Sequence, residues 1–180
     1  MRSGASTNQP SRLEIEQALQ SAIFGTYAVE GDLIEDGASE RSIVFHIAAR
    51  LERCVELWGA PWRVDTDYNR QHDKPTVAKF MNSFEGRRVR VLPDIVVHDP
   101  SEFSPEANLL AVEVKKSTNR TGRKVDYWRL NNFRFSLHYQ HAVFLELSKS
   151  GPAWRWFEEW TQENELPYEI PDWNTRDFLT

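Results

Sequence analysis

The run Leu109-Leu110-Ala111-Val112 leads into Glu113-Val114-Lys115. Along a strand, side chains alternate between faces. Glu113 and Lys115 therefore project together while Leu110, Val112 and Val114 face the other way. A carboxylate and an ammonium ending an apolar strand cost desolvation unless partnered, and a bound cation or phosphate is one such partner. Taken alone the triplet is common; its setting carries the argument. Asp94 lies nineteen positions earlier, among Val91, Leu92, Ile95, Val96 and Val97, where strand propensity disfavours an aspartate. If the two strands are neighbours, Asp94 and Glu113 converge. Two hard oxygen ligands suit Mg²⁺ or Mn²⁺, with water and phosphate oxygens completing the shell. The chemistry would be Lewis-acid polarisation of a phosphate and activation of a water. Lys115 could orient or deprotonate that water and screen developing charge. The competing structural reading pairs a buried carboxylate with Lys115 or Arg90.

The surrounding pattern supplies elements to hold these residues. A helix is expected over 13–27, then a turn-like GDLIEDGASE, with Ser39 as cap of a second helix. That helix, over 40–58, places Val44, Ile47, Ala48, Leu51, Val55 and Trp58 on one stripe, and Gly59-Ala60-Pro61 ends it. WRVDTDY alternates as a strand, and NRQHDKP reads as a polar loop. A strand over 89–98 carries an irregularity at Pro93; another covers 109–115. A helix over 125–138, a buried strand over 142–147 and a final helix beginning at 154–160 follow. The core order is helix, three strands, helix, strand, which is an α/β fold with a mixed sheet between helices.

Leu92-Pro93-Asp94-Ile95-Val96 followed by Ala111-Val112-Glu113-Val114-Lys115 resembles the PD-(D/E)xK, or restriction-endonuclease-like, nuclease superfamily. Its common core is αβββαβ, the order just read, and the resemblance covers about 39–148. It implies that Asp94 and Glu113 hold a divalent metal, that the Val114 carbonyl ligates it too, and that Lys115 assists the attacking water. Many members add a carboxylate from the helix before the sheet. Of Glu40, Glu52 and Glu56, only Glu40 falls on the apolar stripe at 100° per residue, so it is the expected accessory ligand or ligand-orienter; the helix dipole explains it equally well. The helix after the motif usually supplies phosphate or water contacts, which points to Lys116, Lys124 and Arg129, with Asp126 fixing Lys115 or Arg129. Arg70 and Tyr68, at the end of an earlier strand, are expected to line the site. Pro171-Asp172 has no following strand or ExK and is a decoy.

With 180 residues, 40% hydrophobic and 27% charged, the chain has the composition of one soluble domain. That domain is expected over 12–180 after a disordered tail over 1–11, with a C-terminal helix and tail over 152–180. The net charge of −5 argues against nonspecific coating of nucleic acid. Charge is uneven, however: seven Lys and Arg face two acids over 113–134, and seven acids face two Arg over 150–180. A lone cysteine, Cys54, excludes an internal disulfide and fits a reducing cytosol. No apolar run reaches the roughly 18 residues of a membrane span, and no signal peptide is evident. The five histidines lack zinc spacing, and no nucleophile elbow, P-loop or dinucleotide fingerprint is present. The leading expectation is a cytoplasmic, Mg²⁺- or Mn²⁺-dependent nuclease with nucleic acid as partner, DNA ahead of RNA. A homodimer is compatible with it and no membrane is involved. The alternative is a non-catalytic nucleic-acid- or protein-binding module on the same fold; a plain α/β domain with internally paired charges is the third.

Overall fold

Ser11 opens the first helix with a reciprocal cap. Its hydroxyl accepts from the Glu14 N–H, and the Glu14 carboxylate accepts from the Ser11 N–H. The computed structural model describes residues 9–157 except 69, 72–73, 79, 83–87, 103 and 120–122. Helix α1 spans Arg12–Glu35. Helix α2 spans Glu40–Glu56, capped by the Ser39 side chain accepting from Ser42 N–H. Then come β1 (Arg63–Thr66), β2 (Arg70–Gln71), β3 (Lys74–Ala78), β4 (Phe80–Asn82), β5 (Arg88–Arg90), β6 (Ile95–His98) and β7 (Asn108–Lys116). Helix α3 (Arg123–Phe135), β8 (His141–Ser148) and β9 (Gly151–Trp156) complete the order.

The main sheet has five strands in the order β1-β6-β7-β8-β9, while β2 with β3 and β4 with β5 form two small antiparallel pairs. Strand β7 is antiparallel to β6 and parallel to β8, so the sheet is mixed and β7 is its centre. One face packs Ile95, Val97, Leu110, Val112, Val114, Val143 and Leu145 into a single core with residues of α1 and α2. The other packs Val96, Ala111, Ala142 and Phe144 into a core with Tyr127, Leu130 and Phe133 of α3. The fold is α/β, with helices on both faces of a mixed sheet. No helix among the described residues is long and apolar enough to cross a membrane.

Four expectations are corrected. The first half of the segment read as turn-like, 31–35, is helical, because Ile34 buries against the core and tertiary packing outweighs Gly31. The expected polar loop NRQHDKP contains β2 and the start of β3. The single strand over 89–98 is two strands, β5 and β6, with Pro93 in the break; proline cannot donate to a ladder. Residues 154–156, read as the start of a final helix, lie instead in β9, paired antiparallel with β8. Gly151, at φ +126°, reverses the chain after Ser148. Trp154 and Trp156, two apart, then share the face packed against the α1–α2 core, which is strand periodicity. Of the expected tail over 1–11, residues 1–8 lie outside the described residues, as does everything after Phe157.

Candidate metal centre

The β6–β7 pairing ends where Ile95 faces Val112. Continuing the register by one step sets Asp94 across from Glu113. Beyond that point β7 runs on to Lys116 without a β6 partner, and its exposed N–H groups need acceptors. Two carboxylates supply them. Asp94 Oδ2 accepts from the Val114 N–H at 2.7 Å, and Glu40 Oε2 accepts from the Lys116 N–H at 2.9 Å. In a strand, the N–H and C=O of one residue point to the same neighbour. The Val114 carbonyl therefore faces the same open edge, between the two carboxylates.

Glu113 and Lys115 lie on the α3 face, as alternation requires. Glu113 is only 3% exposed. One carboxylate oxygen faces Arg129 Nη1 at 3.8 Å; the other, Oε1, is buried and has no hydrogen-bond partner. Lys115 Nζ lies 3.1 Å from Asp126 Oδ2, and Arg129 Nη1 lies 3.6 Å from Asp126 Oδ1. Asp126 thus holds both cations.

The electrostatics follow from this crowding. Burial pushes the Asp94 carboxyl up from 3.8 to about 6; the Val114 N–H opposes the rise, while Glu40 and Asp126 add to it. Burial raises Glu113 well above the ordinary carboxylate range, the negative charge of Asp94 adds to the rise, and Arg129 opposes it. Carboxylates in this condition ionise fully when a cation joins them. With all four carboxylates ionised, Glu40, Asp94, Glu113 and Asp126 against Lys115 and Arg129 leave a formal charge of −2. That is the charge a divalent ion would cancel.

The donor set fits a hard divalent cation: hard oxygens, an orphaned buried carboxylate oxygen and a main-chain carbonyl on the same edge. Among the described residues no group of three or more His, Cys, Asp and Glu side chains is arranged to hold a metal. A divalent cation here would have to draw on Asp94, Glu113 and backbone, with water or substrate in its remaining positions.

The expected nucleic-acid contacts fare differently from one another. Arg129 reaches from α3 to the centre and stays partly exposed. Lys116 turns its ammonium to the Ala38 carbonyl at 2.8 Å, fastening the loop before α2 onto β7. Arg70 is placed in β2 and Lys124 in α3, but their side chains lie outside the described residues. Tyr68 stacks on His98 with ring centroids 4.2 Å apart, and His98 is bonded to Asp65 at 2.7 Å, so this group braces the β1–β6 side of the sheet. In front of Asp94 opens a groove of about 450 Å³ lined by Glu40, Arg41, Val44, Phe45, Thr66, Asp67 and Asp94. Arg41 and Phe45 were not foreseen as site residues. They sit on the outward side of α2, and only its packing against β1 brings them to the site. No protein-family model, curated protein or solved structure matches the chain.

Proposed function

We propose that the chain is a divalent-metal-dependent nuclease of the PD-(D/E)xK type, hydrolysing phosphodiester bonds of nucleic acid, DNA ahead of RNA. The observation that carries this reading is the Glu113 carboxylate, buried with an orphaned oxygen beside Asp94 where the β6–β7 ladder stops. The αβββαβ order of α2, β1, β6, β7, α3 and β8 supports it. Asp94, Glu113 and the Val114 carbonyl would hold Mg²⁺ or Mn²⁺. Once bound, the ion would polarise the phosphate and make a water acidic enough to attack.

The chain's own groups do the rest. Lys115, held by Asp126, keeps its ammonium on the Glu113 face, where it orients the attacking water and offsets charge on the phosphate. Arg129, between Asp126 and solvent, contacts a phosphate oxygen. Glu40 fixes the last residues of β7 against α2 and borders the groove, acting as a positioning residue for Asp94 and Val114.

The reading is tested by incubating supercoiled, linear and single-stranded DNA and RNA with the protein and Mg²⁺ or Mn²⁺, beside Asp94→Asn. Metal-dependent cleavage, lost in Asp94→Asn, is the expected result. Mn²⁺ uptake without cleavage of any polymer would instead identify a non-catalytic module. No Mn²⁺ uptake would refute the metal site itself.

A further inference from the structure

The groove in front of Asp94 has an outer wall that the metal site does not need. Phe45 stands there 64% exposed, next to Arg41 one turn earlier on α2. A phenyl ring left in water contributes little to the fold, since burying it would be worth roughly 1.5–3 kcal/mol. Arg41 is tied only loosely: it lies 3.5 Å from Asp67, with its side chain 83% exposed. Exposed pairs of this kind hold their partners weakly, so the guanidinium is free to take a phosphate. The volume of about 450 Å³ falls within the range of roughly 300–1,000 Å³ typical of sites for small groups.

The wall chemistry narrows the occupant. A duplex hides the faces of its bases in the stack, and only an unstacked base offers a π-face to an aromatic side chain. Glu40, Asp67 and Asp94 outnumber Arg41 around the groove, so the groove repels phosphate until a divalent cation offsets them. We infer that the groove takes an unstacked nucleotide of single-stranded nucleic acid, with its base on Phe45 and its phosphate between Arg41 and a cation held at Asp94. The inference rests on the nuclease reading and adds the form of the polymer: single strands or unpaired segments over continuous duplex, with binding conditional on metal.

Fluorescence anisotropy of labelled single-stranded DNA, single-stranded RNA and duplex DNA tests this, with Ca²⁺, with Mn²⁺ and with chelator. Parent, Phe45→Ala, Phe45→Trp and Arg41→Gln proteins are compared. Single strands should bind only with cation. Phe45→Ala should weaken that binding about tenfold or more, Phe45→Trp should retain it, and Arg41→Gln should lower its salt dependence. Duplex affinity should be weaker and unmoved by Phe45→Ala. Equal affinity for duplex and single strand overturns the inference, as does single-strand affinity indifferent to Phe45→Ala, or no single-strand binding with either cation. Calorimetric Mn²⁺ titration of the parent separates the two levels. Mn²⁺ uptake alongside any of those outcomes removes this inference alone, whereas its absence removes the nuclease reading as well.

Discussion

Two glutamates in this molecule have opposite surroundings: Glu30 is half-buried, with its side chain 17% exposed, and Glu113 is fully buried. Glu30 sits at a break in α1 where the backbone leaves helical geometry. Both its oxygens lie within 2.8 Å of Arg50 Nη2, and His46 Nδ1 is 3.5 Å away. Gly25 leaves the room that Arg50 crosses to reach it, since a Cβ there would lie 3.1 Å from the Arg50 side chain. Glu113 is more deeply buried; among the described residues its ion-pair partner, Arg129, is 3.8 Å away, and Oε1 has neither a hydrogen bond nor an ion pair. A buried charge with a close partner is explained by the fold. A buried charge without one opposes the fold, and residues retained at such a cost are candidates for binding.

The strongest way to break this contrast is a matched pair of substitutions. Glu113→Gln should lower cleavage by about 10²–10³-fold or more, with thermal stability unchanged or raised, because a neutral amide replaces a carboxyl whose ionisation burial opposes. Glu30→Gln should leave cleavage within about twofold while costing about 1–3 kcal/mol, because Arg50 loses its charged partner. Thermal melts and cleavage assays on both variants check the pair. If Glu113→Gln melts much lower than the parent with activity intact, Glu113 belongs with Glu30.

Lys115→Met sharpens the division of labour at the centre. It should lower cleavage about 10²-fold while Mn²⁺ affinity holds or rises, because a nearby positive charge is gone. A smaller effect is expected for Glu40→Gln, roughly tenfold on cleavage; its amide oxygen can still accept from the Lys116 N–H. Equal losses of Mn²⁺ affinity and of rate in Lys115→Met would contradict its assignment to the water.

The gentlest test is pH. Asp94 titrates higher in the folded chain, at about 6, than its ordinary value of 3.8. It therefore stabilises the metal-free fold fully below that ordinary value and loses this contribution as pH rises through about 6. Between pH 4 and 7 the metal-free parent should lose melting temperature relative to Asp94→Asn. Saturating Mn²⁺ should raise the melting temperature more above pH 6 than below it, because protons compete for the same oxygens.

Much of this centre was legible from local pattern. Alternation alone sets Glu113 and Lys115 on one face and Val112 and Val114 on the other, and the helical stripe turns Glu40 inward. The order of core elements could be read from periodicity because α2, β7 and β8 are strongly patterned. What escaped depends on tertiary contacts. The aromatic run from Trp154 suits a strand or a helix equally until Gly151 turns it back onto β8. That α1 continues past Gly31 depends on Ile34 finding the core. Lys116 looks like a free basic residue in sequence, and only the approach of the α2 cap shows its ammonium bound to Ala38. Phe45 and Arg41 carry no motif at all.

The central claim is that Glu113 and Asp94 share a divalent cation. Isothermal titration of Mn²⁺ into the parent and into Glu113→Gln, in buffers of different ionisation enthalpy near pH 6, tests it most directly. One ion should bind the parent with proton release, and little or none should bind Glu113→Gln. No binding to the parent, or undiminished binding to Glu113→Gln, would contradict it.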